Sequence, residues 1–262
     1  MEERCYGVQA WIDRLNDSEL PALAAVVTDM QQLAESESSS VQELASVLLR
    51  DASLTSKVLR VANSSYYNPA CEDIRTISRA IVLIGFESIR LISLSVSLID
   101  GLLSRGPRYQ LPELLARSFH AAVQARNIAG YVLSKHQEEV FIAALLHHIG
   151  ELAFWGCGGD QVAELDDALA EPGVDPDAAV RKVLGTSFEQ LTQGLVKNWN
   201  LGPVASLAHV PANPKSPAAY AVQLGMRISE VALDGWESPE MDELVLQLAK
   251  FTGISPEEAL QQ

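Results

Sequence analysis

Basic residues are scarce in this 262-residue chain: 19 Lys and Arg stand against 34 Asp and Glu, a formal charge of −15. The few cations are scattered along the sequence. The chain therefore lacks the clustered Lys and Arg that drive non-specific binding to nucleic acid or anionic membranes. Cysteine is nearly absent, and Cys5, Cys71 and Cys157 form neither a disulfide framework nor a CxxC metal pattern. The N-terminal MEERCYGVQAWIDRL carries no apolar run of signal-peptide length. The longest apolar stretch, around Ala143 to Trp155, is interrupted by His147, His148 and Glu151 and falls far short of a membrane span. Together these absences lead us to expect a protein of the reducing cytoplasm with neither nucleic acid nor membrane as its partner. Disorder is excluded by the 48% hydrophobic content. A chain of this length buries about 70–75% of its unfolded surface and needs no disulfide or metal staple.

What is present is helical periodicity. Leu23, Val26, Val27, Met30 and Leu33 recur at steps of three and four, the stripe of an amphipathic helix. Ser40 with Glu43 forms a capping-box pattern before VQELASVLLR, Asp51 can cap ASLTSKVLRVANSS, and Thr76 can cap TISRAIVLIG. Gly85 suits a left-handed cap at the end of that last segment. FESIRLISLSVSLIDGLL is apolar on more than one face and reads as a buried helix. Ser104 to Pro112 is the clearest break, because Gly106, Pro107 and Pro112 cannot share one helix interior. Beyond it LLARSFHAAVQARNIAGYVL and EEVFIAALLHHIGELAFW read as helices, the second ending in GCGGD. Thr186 and Glu189 offer a capping box for FEQLTQGLVKNW. Ser216-Pro217, Ser238-Pro239 and Ser255-Pro256 each pair an N-cap with proline at the first helical position and divide the tail into short helices. No period-two alternation long enough for a sheet occurs, so the expected class is all-α.

The doublet His147-His148 is the one local concentration of ligand-type side chains. On a continuous helix Ile142, Leu145, Leu146, Ile149 and Leu152 would form one stripe, and adjacent residues diverge by about 100°. His147 then projects beside the small Ala143 and Gly150, which leave room for a ligand or another backbone, while His148 flanks the stripe. Two readings follow. Either imidazole is a satisfied polar group between packed helices, or the doublet belongs to a metal site, which needs three or four convergent ligands.

Here a family resemblance enters. FIAALLHHIGEL resembles the signature helix of the HD superfamily, in which AxLLHDIG presents a His-Asp pair to a metal; His148 stands at the Asp position. RDASLTSKVLRVANSSYYN (Arg50 to Asn68) and TISRAIVLIGFESIRLI (Thr76 to Ile92) resemble the HDOD domain, a bacterial signalling relative of the HD phosphohydrolases. LGTSFEQLTQGLVKNWNLG (Leu184 to Gly202) is similar to a later HDOD segment. The resemblance implies an N-terminal helix over 1–19, an HDOD domain over 20–214 with a subdomain break near 104–112, and a helical extension over 215–262. It implies two helical subdomains around a shared core.

Carried over by position, the family's ligand pattern is degenerate. Arg117 stands where the first His belongs, His120 lies one turn later, and His147 keeps its place. Phe188 occupies a position often filled by His, and Met226 that of the late Asp. A hydrolytic metal must lower the pKa of bound water from about 16 towards 7 while fixed by several ligands. Losing one carboxylate and gaining Arg117 works against this by a few kcal/mol at a partly buried site, in order of magnitude. We therefore expect a pseudo-enzyme with Arg117, His120, His147 and His148 as its vestigial site, holding no metal or cofactor.

Arg50, Lys57, Arg60, Asn63, Tyr66 and Tyr67 form a second set, read either as a surface for a phosphorylated or acidic partner or as a solvated helix face with ordinary caps. No GxSxG context supports a Ser-His hydrolase, and Cys157 has no neighbouring base or cation to activate it. The resemblance implies a non-catalytic regulatory protein of bacterial signal transduction that meets signalling partners in trans. Two alternatives stay open: a metal-dependent phosphohydrolase using His120, His147, His148 and His209, and a module that senses a nucleotide beside Arg117 and His147.

Overall fold

The computed structural model describes residues 4–16, 41–49, 52–64, 68, 74–86, 89–90, 92–93, 110–133, 137–199 and 216–260. Every regular element among them is a helix. The chain divides into two compact units, one of residues 19–104 and one of residues 1–18 with 105–262.

Helices of the first unit among the described residues are α2 (Val41–Leu48), α3 (Ala52–Ala62) and α4 (Ile77–Ile84). Leu44, Leu48, Val58, Ile77 and Ile81 meet in its core, each 3% exposed or less. Thr76 caps α4 as expected, its hydroxyl accepting from Arg79 N at 3.2 Å. Gly85 ends that helix with φ +99° and ψ +150°, not the left-handed helical cap expected for it. The backbone turns out into an extended mirror-image conformation that only glycine adopts readily. Asn63 closes α3: its side-chain amide donates to Leu59 O and Ile74 O, and its Oδ1 accepts from Ile74 N. Of the FESIRLISL segment, Ile89, Arg90, Ile92 and Ser93 are buried. The Leu23–Leu33 stripe, Ser40, Asp51 and Cys71 lie outside the described residues.

The second unit holds α1 (Val8–Asn16), α5 (Gln110–Val132), α6 (Gln137–Leu145), α7 (Ile149–Cys157), α8 (Asp160–Leu169), α9 (Pro176–Leu184), α10 (Phe188–Asn198), α11 (Pro217–Val231), α12 (Pro239–Thr252) and α13 (Pro256–Ala259). Pro112, expected in the break, is the third residue of α5. A proline in the first turn loses no intrahelical hydrogen bond, because that N–H has no partner in any helix. Helix α5 presents Ala121 and Ala125 to Gly225 of α11, where a Cβ would lie 2.6 Å from Ala121 O and 2.7 Å from Ala125 N. Only a glycine lets these two backbones cross so closely.

Helix α1 is fastened by polar contacts. Gln161 accepts from Cys5 N at 2.7 Å and donates to Cys5 O and Val183 O. Gly7 N and the Trp11 indole both donate to Leu184 O. At the far end Trp199 Nε1 donates to Asn16 Oδ1 at 2.7 Å. Two capping expectations change in this unit. The box at α10 is Ser187 with Gln190, one residue later than Thr186 with Glu189. Thr186 instead is buried and donates to Gln190 Oε1. Ser216 makes no side-chain cap, whereas Ser238 and Ser255 do. The tail helices α11 and α12 are long, not short, at 15 and 14 residues.

Candidate functional site

The apolar run through the His doublet is not one helix. It breaks into α6 and α7, inclined by 42°, with residues 146–148 forming a turn between them. His147 N and Ile149 N donate three residues back, to Ala144 O and Leu146 O, so the chain tightens before α7 begins. His148 sits at the entry of α7 with φ −98° and ψ +20°. The divergence expected for neighbours on a helix therefore fails here. The two imidazoles pack edge to face, with ring centroids 4.8 Å apart.

The break follows from packing. Gly150 donates its N–H to the Thr192 hydroxyl of α10 at 3.1 Å, and a Cβ there would lie 2.6 Å from that oxygen and 2.9 Å from Phe188 O. The space beside Gly150 is thus filled by another backbone. Phe188, at the position that often holds His, points its ring at Phe154 with centroids 5.5 Å apart. That ring also packs against Trp11 at 5.1 Å and Trp155 at 5.3 Å. Among the described residues, this flank of the site is aromatic and offers no ligand.

Glu151 is the residue that organises the site, and sequence reading passed over it. Its Oε2 lies 4.0 Å from Arg117 Nη2 and 3.7 Å from His148 Nδ1, and its Oε1 accepts from the Trp155 indole at 3.3 Å. Helical spacing contains the signal: His148, Glu151 and Trp155 stand at i, i+3 and i+7 on one face. Arg117 reaches the same carboxylate from α5, its side chain 27% exposed. Burial pushes the Glu151 carboxyl above the usual carboxylate range, and the Arg117 guanidinium and Trp155 indole oppose that rise. Arg117 Nε is buried without a hydrogen-bond partner among the described residues.

His120 belongs to different surroundings. Its Nε2 lies 3.2 Å from Gln124 Nε2, and its ring meets Trp236 of the tail edge to face at 6.0 Å. Burial lowers its pKa, favouring neutral imidazole. Met226 is buried in α11 beside the Gly225 crossing. Among the described residues no three His, Cys, Asp or Glu side chains converge to hold a metal ion. The donors at the doublet do not fit the family's metal, because their carboxylate shares its oxygens with a guanidinium, an imidazole and an indole.

Of the second set, Lys57 is half-buried and Arg60 is exposed in the last turn of α3, and Asn63 is committed to the α3 clamp. Arg50, Tyr66 and Tyr67, like His209, lie outside the described residues. Cys157 is half-buried, its thiol donating to Phe154 O at 3.1 Å. No single helix among the described residues is long and apolar enough to cross a membrane.

Comparison with known proteins agrees with this architecture. The family model of the HDOD domain matches residues 20–209. An uncharacterised protein of Treponema pallidum (strain Nichols) is 22% identical over 213 residues, covering 79% of this chain. This chain spans only 40% of that relative's length. A solved HDOD domain protein of unknown function from Geobacter sulfurreducens superposes with a TM-score of 0.74 at 20% identity, over 97% of this chain and 94% of that one. A structure from Shewanella amazonensis SB2B, named as a candidate phosphohydrolase, superposes with a TM-score of 0.68 at 22% identity, over 96% and 91% of the two chains. At such identities these likenesses establish the fold.

Proposed function

Since the chain belongs to the HDOD domain family, we propose that it is a non-catalytic regulatory protein of bacterial signalling, acting in the cytoplasm through contacts with partner proteins. The observation that carries this reading is the Arg117–Glu151 pair. The family's first metal-ligand position is a guanidinium, and it lies 4.0 Å from the carboxylate nearest the His doublet. A divalent cation there would meet a fixed positive charge and would have to displace Arg117 or His148 from Glu151. The negative charge that a metal needs is already neutralised by the protein. The scaffold remains, with the doublet and its helix break serving the packing of α7 on α10. Phosphatase and phosphodiesterase assays with added manganese or iron test this. The reading expects turnover no greater than the buffer rate, whereas metal-dependent turnover abolished by His147→Ala would replace it with the phosphohydrolase alternative.

A second reading, nucleotide sensing beside Arg117 and His147, has one observation in its favour: the buried Arg117 Nε with no hydrogen-bond partner among the described residues. A ligand at about 100 times its Kd stabilises the protein by about 2.7 kcal/mol. Thermal-shift screening with nucleotides and cyclic dinucleotides exposes it, and the absence of any shift counts against it.

A further inference from the structure

Two of the three cysteines, far apart in sequence, are gathered by the fold around one cation. Cys5 lies just ahead of α1, and Cys157 is the last residue of α7. Both are half-buried thiols. Arg14 of α1 links their surroundings. Its Nη1 lies 4.0 Å from Cys5 Sγ, and its Nη2 donates to Gly158 O at 3.2 Å. Cys157 Sγ lies 3.5 Å from the same carbonyl oxygen. A chain of three contacts, through one guanidinium and one carbonyl, therefore joins the two sulfurs. Sequence reading left Cys157 without a neighbouring cation; α1 brings one to the residue beside it.

A second set of contacts makes the same connection. The Gln161 side chain, four residues past Cys157, accepts from Cys5 N at 2.7 Å and donates to Cys5 O at 2.8 Å. Residue 5 is thus fixed through its backbone beside the exit of α7. The residues between Cys157 and α8 are Gly158 and Gly159, with φ of +73° and +99°. That turn carries no Cβ to resist adjustment. Two thiols placed in this way stay reduced in a reducing compartment and join under oxidation.

We propose that Cys5 and Cys157 form a peroxide-responsive thiol pair, which closes to a disulfide and locks α1 to the exit of α7. In the first step the Cys5 sulfur attacks one peroxide oxygen and the O–O bond breaks, leaving the Cys5 sulfenic acid and water. In the second the Cys157 sulfur displaces the hydroxyl from the Cys5 sulfur, giving the S–S bond and a second water. Two electrons pass from the sulfurs to the peroxide, and both thiol protons leave in the waters. Arg14 presents a hydrogen-bond donor at the sulfur where the oxygen arrives. The chain passes from α1 into the unit of residues 19–104 within a few residues, so the bond fixes the segment that leads into that unit. Neither thiol belongs to the site of the His doublet, and the pair stands whether or not that site holds a metal.

The test treats the reduced full chain with hydrogen peroxide, alkylates the remaining thiols and maps the tryptic peptides without reduction. Lys and Arg positions put the three cysteines in separate peptides, 5–14, 61–75 and 136–181. The expected product is a monomer, lighter by two hydrogens, in which 5–14 is linked to 136–181 and Cys71 is alkylated. Dithiothreitol should restore all three thiols. Amide exchange across α1 should slow about tenfold on oxidation and recover on reduction. Cys5→Ser and Cys157→Ser should each abolish the cross-link and the change in exchange, and Cys71→Ser should affect neither. A link through Cys71, a disulfide between two copies, oxidation that stops at a single sulfur, or three alkylatable thiols after peroxide each overturn the proposal. So does a Cys5–Cys157 bond that leaves exchange across α1 unaltered, because such a bond locks nothing.

Discussion

Replacing Arg117 by Met removes the guanidinium while keeping most of the side-chain volume, and the consequence depends on pH. At 4.0 Å, an ion pair is worth about 4 kcal/mol at an effective dielectric of about 20. The two side chains are 27% and 23% exposed, so solvent screening and the distance together reduce the expected loss to about 1–3 kcal/mol. The sign follows from Glu151. Its folded pKa is raised by burial, so its protonated form is favoured by folding. The resulting stability is fully present below the unfolded pKa and is lost as pH rises through the folded value. Without Arg117 the folded value climbs further and the ionised carboxylate is left with less compensation. The penalty of Arg117→Met should therefore be small at about pH 3, below the ordinary Glu range, and largest at about pH 8. In a Glu151→Gln background it should shrink towards zero and lose its pH dependence. Urea unfolding followed through tryptophan fluorescence measures all four corners of this double-mutant cycle. Trp11, Trp155, Trp199 and Trp236 all lie in the unit that contains the pair. Equal penalties at both pH values, with a coupling energy near zero, would refute the claim that this pair neutralises the site.

Other perturbations read the surrounding structure. Gly150→Ala puts a methyl 2.6 Å from Thr192 Oγ1 and 2.7 Å from Thr192 N, which should destabilise the second unit by about 1–3 kcal/mol and lower its melting temperature. A variant as stable as wild type would show that α7 and α10 do not meet so closely. Gln161→Leu removes the partner of Cys5 N, Cys5 O and Val183 O and should cost about 1–3 kcal/mol. Its more specific effect is faster amide exchange across α1, and unchanged protection there would contradict the clamp. Gly225→Ala should likewise cost about 1–3 kcal/mol, since backbone atoms of Ala121 and Ala125 crowd its Cβ position. Loss of soluble protein or a matching fall in unfolding midpoint would register it.

Much of the helical layout can be read from local signals. Thr76, Ser238 and Ser255 are caps whose hydroxyls accept from the expected N–H groups, because capping chemistry involves only three or four consecutive residues. Where two oxygen-bearing residues are adjacent, as at Thr186 and Ser187, the pattern leaves the register open, and burial of Thr186 decides it. The doublet was harder. ALLHHIGEL is apolar apart from its His residues and Glu151, and nothing local announces a 42° bend. Just after the bend, Gly150 meets a partner 42 residues away, Thr192, that no local pattern specifies. Glu151 was missed for the same kind of reason: its significance comes from Arg117 on another helix, a pairing that periodicity does not encode. The seat of Trp236 on His120 is likewise a tertiary contact spanning residues far apart in sequence.

The proposal that the HDOD scaffold works here without metal chemistry has Arg117 supply the charge that a cation would otherwise provide. Elemental analysis of protein purified without an affinity tag tests it most directly. The account predicts substoichiometric traces of iron, manganese and zinc, unchanged by His147→Ala. One tightly bound equivalent of any of them, lost in His147→Ala, would contradict it.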